Sequence, residues 1–163
     1  MNAQNRPLWA PWRVEFVYGE KESGCFFCGK KEYTGSREEE LIVKRMEHCF
    51  VMLNRYPYNA GHLLITPYEH CADLSQLSPE TRHELIDTCA FAKDLLQKLM
   101  KPDGYNAGFN LGTAAGAGVA EHLHLHLVPR WFGDTSFMPV LGDVRCVPEA
   151  LVNTANLLRD AWK

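Results

Sequence analysis

Residues Glu121 to Trp131 read EHLHLHLVPRW. His122, His124 and His126 alternate with Leu123, Leu125 and Leu127. On a strand, side chains point to opposite faces with period two. The spacing therefore predicts three imidazoles on one face, roughly 6.5–7 Å apart in succession, and three leucines on the other. A leucine face requires a core to cover it. Pro129 is expected to end the pattern, because proline cannot donate to a central ladder. Imidazoles on one strand can be structural, can ligate a metal, or can act as nucleophile and acid/base partners. Three in register exceed what a structural role needs. The choice between metal and nucleophile depends on what lies upstream.

At 163 residues and a net charge of −3, the chain is expected to form one domain over 25–163 with an N-terminal arm over 1–24. The charge gives no electrostatic footprint for duplex nucleic acid. No apolar run reaches the length of a membrane span. The start, MNAQNRPLWAPWR, lacks the apolar core of a signal peptide. A cytoplasmic protein with reduced cysteines is the expectation. Trp9 and Trp12 make the arm rich in aromatic surface, which suits packing on its own domain or on a partner subunit. The charged run Arg37 to Glu40 reads as a solvated connection.

The elements around the histidine row can be read in order. Leu41–Lys44 and Cys49–Asn54 read as strands about a polar turn. RYPYNA (55–60) is a turn, and GHLLITP (61–67) is a third strand. His62 stands just inside it, after a glycine that permits close approach of another group. Ser78-Pro79-Glu80 opens a long helix with an N-cap serine, proline at the first position and an acid in the first turn. Leu85, Ile86, Cys89, Ala92, Leu96 and Leu99 give it a buried stripe, and Pro102-Asp103-Gly104 ends it. Tyr105–Leu111 is the fourth strand and the histidine row the fifth. Pro148-Glu149 starts a second helix running to near Trp162. Short links within each strand group predict an α+β fold, with a long central helix and a C-terminal helix against one five-stranded antiparallel sheet.

Two motifs remain. GCFFCG (24–29) holds a CxxC between glycines, typical of a zinc half-site. A redox pair would follow a strand at a helix start, and no strand precedes it; plain buried thiols are the third reading. The other four cysteines, Cys49, Cys71, Cys89 and Cys146, lack motif spacing. GTAAGAG (112–118) lies between the last two strands. Its small residues allow backbone amides to form an anion nest. A phosphate cradle beside a row of imidazoles suits nucleotidyl transfer.

The run GAGVAEHLHLHLVPRW, together with LNRYPYNAGHLLITPYEH upstream, resembles the histidine triad (HIT) family of nucleotide hydrolases and transferases over most of the chain. LWAPWR, CFFC and WFGDTSFMPV resemble a bacterial subgroup described as diadenosine tetraphosphate phosphorylases. The resemblance implies a homodimer and a nucleotide substrate attacked at its α-phosphorus. It makes His124 the nucleophile, forming a nucleotidyl-histidine, with His126 at the phosphate and leaving group and His62 facing the triad. Asn54 matches a ribose-holding position; Asn110, Gly112 and Gly118 match the phosphate loop. Zinc-bearing members imply Cys25, Cys28, His70 and His122 as ligands, with His48 as the alternative to His70, and a structural zinc. A metallohydrolase using both His122 and His124 as ligands, with Glu121 as the one adjacent carboxylate, is the competing reading. A nucleotide-binding module without turnover is a third, which predicts loss of the middle histidine. A nucleoside phosphoramidate is the alternative substrate. Phosphorolysis would need a second anion site, for which the Gly112–Gly118 amides and Arg130 are the candidates.

Overall fold

The computed structural model describes residues 24–32, 35, 40–134 and 150–162. The arm before Gly24, most of the charged run, the Asp134-to-Ala150 connection and Cys146 lie outside these residues. The described elements are β1 (Ile42–Arg45), β2 (Cys49–Leu53), β3 (Leu63–Pro67), α1 (Pro79–Met100), β4 (Gly104–Phe109), β5 (Leu125–Arg130) and α2 (Leu151–Ala161). The order of three strands, helix, two strands, helix is the one the sequence predicts. The sheet runs β1-β2-β3-β5-β4, with every neighbouring pair antiparallel.

Local chemistry sets the helix ends. Ser78 Oγ accepts the Thr81 amide with Pro79 at the helix start, and Lys101 closes α1 in the left-handed region at φ 48°. The buried face of α1 includes Leu85, Ala92, Leu95 and Leu96, and α1 packs on β3 and β5. Ile86 departs from the expected stripe: it is 56% exposed. The stripe runs instead through Thr81, Leu85 and Thr88, where two threonines occupy interior positions that a hydropathy pattern skips. α2 covers β1 and β2 and begins at Leu151, a turn later than Pro148.

The register explains the histidine row. β3 pairs with β5 as Leu63↔Leu127, Leu64↔His126 and Ile65↔Leu125. Opposed residues share a face, so Leu63, Ile65, Leu125 and Leu127 point together, all but fully buried. Each such leucine contributes roughly 1.5–3 kcal/mol by leaving water. His126 takes the opposite face, with His62 as its diagonal neighbour.

Two expectations about this strand need correction. β5 begins at Leu125, so only His126 of the three histidines sits inside a ladder. His122 and His124 lie in the extended segment before it, where backbone groups are free to bond side chains. Pro129 is within β5, paired to Tyr105 of β4. It is tolerated because β3 has ended by then: on that side the Pro129 carbonyl accepts Asn59 Nδ2 (3.1 Å), and no ladder donor is required.

Gly61, just before β3, has φ +71°, and a Cβ there would lie 2.7 Å from Met100 Sδ and 3.3 Å from Leu96 Cδ2. The glycine thus allows α1 to close over the start of the strand that carries His62.

Candidate active site

Four donors converge where the CxxC turn meets the end of β3 and the segment before β5. Cys25, Cys28, His70 and His122 bring one ligand atom each within 4.8 Å of one another. Cys25 Sγ lies 3.2 Å and Cys28 Sγ 3.7 Å from His122 Nδ1, and Cys28 Sγ is 3.2 Å from His70 Nδ1. His122 Nε2 is 2.9 Å from the Pro67 carbonyl, which can only accept, so the ring carries its proton there and turns the Nδ1 lone pair toward the thiols. Burial lowers the pKa of His122 and favours this neutral form. Two thiols and two imidazole lone pairs are the donor set of a closed tetrahedral site. His48 does not join it. Its amide and that of Cys49 donate to Glu84 Oε1, at 2.8 Å each.

His124 is 7% exposed. Its Nδ1 lies 2.8 Å from the His122 carbonyl and so donates to it. The remaining lone pair is on Nε2, the nitrogen away from the backbone. Burial lowers its pKa, partly opposed by the His122 hydrogen bond. A neutral imidazole with one lone pair fixed in direction is a competent nucleophile at neutral pH. His126 is also neutral there: burial, then the neighbouring His124, pushes it down to about 4. His62 Nε2 is 2.9 Å from His126 Nδ1. The rings of His124 and His126 are 4.9 Å apart.

The structure brings the expected catalytic trio His62, His124 and His126 together. Asn54 is beside them with both polar atoms engaged: Oδ1 accepts the Tyr56 amide (2.9 Å) and Nδ2 lies 3.3 Å from His62 Nδ1. Asn110 follows β4, half-buried; Gly112 and Gly118 are exposed in the next loop. The anion nest is smaller than expected, because the amides of Ala115, Gly116 and Ala117 bond carbonyls of the loop itself. Gly112, at φ 80° and ψ 166°, has a backbone that a side chain would strain. Opposite His126 on β4 stands Gly108, and a Cβ there would meet nothing within 4 Å, so the face beside the histidine has room for a ligand. Glu121, the carboxylate of the competing metal reading, is exposed.

Arg130 is also more constrained than a phosphate donor would be. Its Nε and one terminal nitrogen grip both oxygens of Asp134 at 2.6 and 2.8 Å, and its other terminal nitrogen donates to Asn106 Oδ1 at 2.7 Å. Asp134 further accepts Asn59 Nδ2 at 2.8 Å and the Trp131 amide at 3.1 Å. The guanidinium thus ties the end of β5 to the turn before β3.

Two contributors escape sequence reasoning. Phe27, between the cysteines, is buried with its ring 5.2 Å from that of His122 and 5.1 Å from that of His124. Tyr58 stacks on His126 at 5.6 Å and 9°. An apolar pair between two metal-spaced cysteines is a weak signal for the first; nothing in the sequence singles out the second.

A profile of the HIT domain matches residues 36–133. An AP-4-A phosphorylase of Mycobacterium tuberculosis is 35% identical over 98% of this chain and 85% of its own. Among solved structures, a Zn-bound histidine triad family protein from Mycobacterium smegmatis superposes with a TM-score of 0.61 and 31% identity, covering 74% of this chain and 82% of that one. A hypothetical histidine triad nucleotide-binding protein from Sulfolobus tokodaii gives 0.64 and 26% over 84% and 91%.

Proposed function

The chain belongs to the HIT domain family, and on that premise we propose that it is a nucleotidyl hydrolase or transferase working through His124. Its substrate would be an adenine dinucleotide such as diadenosine tetraphosphate. The observation that carries this reading is the His124 ring itself: Nδ1 committed to the His122 carbonyl, Nε2 left as the lone pair. Nε2 would attack the α-phosphorus. The N–P bond forms as the P–O bond to the departing polyphosphate breaks, and the leaving oxygen keeps that electron pair. Water or inorganic phosphate then attacks the nucleotidyl-histidine and restores the lone pair. Asn110 and the Gly112 and Gly118 loop would contact substrate phosphates.

Zinc is the ion we propose for the four-donor cluster. With Cys25, Cys28, His70 and His122 all bound, no position stays open for water, so its part would be structural. This disfavours the metallohydrolase reading, as do the His122 Nδ1 contact with the Cys25 thiol and the commitment of His124 Nδ1 to the His122 carbonyl. A single domain over 25–163, a cytoplasmic location and a homodimer remain part of the proposal. The dimer is supported by β4, an edge strand with exposed Asn106, Ala107 and Gly108, and light scattering would test it.

A phosphoramidate substrate is the second reading. It has support from the adenosine 5'-monophosphoramidase HNT1 of Saccharomyces cerevisiae, 32% identical over 67% of this chain and 64% of its own. The far longer match to the AP-4-A phosphorylase favours the dinucleotide. Incubation with diadenosine tetraphosphate, with and without phosphate, tests both. ADP and ATP alone mean phosphorolysis; AMP and ATP mean hydrolysis. No cleavage, with turnover of an adenosine phosphoramidate, would replace the dinucleotide reading.

A further inference from the structure

The proline that ends β3 deprives a carbonyl beside the candidate nucleophile of its ladder donor. Along a strand, successive residues turn their backbone groups to opposite neighbours. The His62 carbonyl accepts the Asn54 amide, and the Tyr68 amide donates to the His48 carbonyl. Even-numbered residues of β3 therefore turn to β2 and odd-numbered ones to β5. The register Leu63↔Leu127 and Ile65↔Leu125 would next oppose Pro67 to Leu123. Any other residue at 67 would donate its N–H to the Leu123 carbonyl; proline has none. The donor comes instead from one residue earlier, where Thr66 Oγ1 donates to the Leu123 carbonyl at 2.8 Å. Both residues are buried, Thr66 completely. The Pro67 carbonyl, left without the Leu123 amide, faces His122 Nε2, and that amide donates to the Cys71 carbonyl at 2.7 Å. Both peptides flanking Leu123 are thus clamped. The one before it bears the carbonyl that accepts His124 Nδ1; a peptide is planar, so anchoring its N–H aims its C=O. The one after it leads directly into His124.

We propose that Thr66 is a positioning residue for His124: its hydroxyl replaces the ladder donor that Pro67 lacks and so fixes the peptide from which the nucleophilic ring projects. This rests on the reading of His124 as nucleophile. Thr66 touches no reacting atom. Without the hydroxyl, the buried Leu123 carbonyl has lost its partner and the segment shifts to find another, at the expense of the line of attack. A threonine kept only for its shape would be replaced by valine with no effect on rate.

Thr66→Val keeps the shape and removes the donor, whereas Thr66→Ser keeps the donor and removes a methyl. With diadenosine tetraphosphate, the valine variant should lose roughly 10-fold in kcat with KM within about 2-fold, and the serine variant should stay within about 3-fold in kcat. A valine variant as fast as the unaltered chain, or a serine variant as slow as the valine one, overturns the assignment. A second readout needs no turnover. In proton spectra of the full-length protein, the Thr66 hydroxyl and the His124 Nδ1 proton should both be protected from exchange with water. A Thr66 hydroxyl that exchanges as fast as an exposed one overturns the proposal, even where Thr66→Val fails to fold. In a folded valine variant the His124 Nδ1 signal should shift or broaden, and an unchanged signal overturns the proposal too. Failure of the functional reading is distinct: no adenine nucleotide is turned over while both protons remain protected.

Discussion

Phe27 and His124 lie with ring centroids 5.1 Å apart, so one of the two residues between the knuckle cysteines walls the candidate nucleophile. The four-donor cluster and the candidate reaction site thus share a side chain. Purified protein should contain about one zinc per chain, and chelation should lower the melting temperature, since metal binding is partly folding free energy. Cys25→Ser should lose the ion and also loosen Phe27 from the histidines. Metal analysis of fresh protein checks the first point and thermal denaturation the second. A zinc-free preparation with unaltered stability would return the pair to buried thiols.

His124→Ala should keep the fold and bind nucleotide, while turnover falls by roughly 10³-fold or more. Single-turnover kinetics should lose any nucleotidyl-protein intermediate. A near-normal rate would end the covalent mechanism.

Gly61→Ala should destabilise the domain by about 1–2 kcal/mol, the cost of a left-handed backbone at a residue with a Cβ, while the flexible Met100 side chain turns away from the new methyl. Denaturant unfolding measures it. Gly108→Ala, where a Cβ meets open space, should be far milder for stability while narrowing the face beside His126.

Stability should depend on acid through His126. Its folded value of about 4 lies below the ordinary 6.5, so between these pH values the unfolded chain binds more protons. Unfolding free energy therefore rises with pH across that window; the stability is fully present above 6.5 and is lost as pH falls toward 4. The loss is about 3 kcal/mol for this group. His124 is lowered in the same direction. Denaturation curves from pH 4 to 7 test this, and His126→Gln should flatten them.

The alternation of histidine with leucine is enough to predict the buried leucine face, with His126 on the other. The Ser-Pro-Glu start of α1 and the CxxC were equally legible, because each depends on neighbours in sequence. What sequence could not supply were relations across the chain. Asp134 and Arg130 are four residues apart, but their role depends on Asn59, placed beside them only by the sheet. Asn54 faces His62 through a turn whose geometry no pattern encodes. The strand boundary at Leu125 is invisible to the pattern, because alternation continues through His122 and His124 although the ladder does not.

The β3–β5 register decides which face His126 takes. Strand pairing has period two, so a slip by a single residue would turn His126 into the leucine layer and present a leucine to His62. Misregistered chains would keep much of their apolar burial yet be chemically silent. Catalytic turnover per folded molecule would then count correctly threaded sheets, a quantity that circular dichroism cannot see.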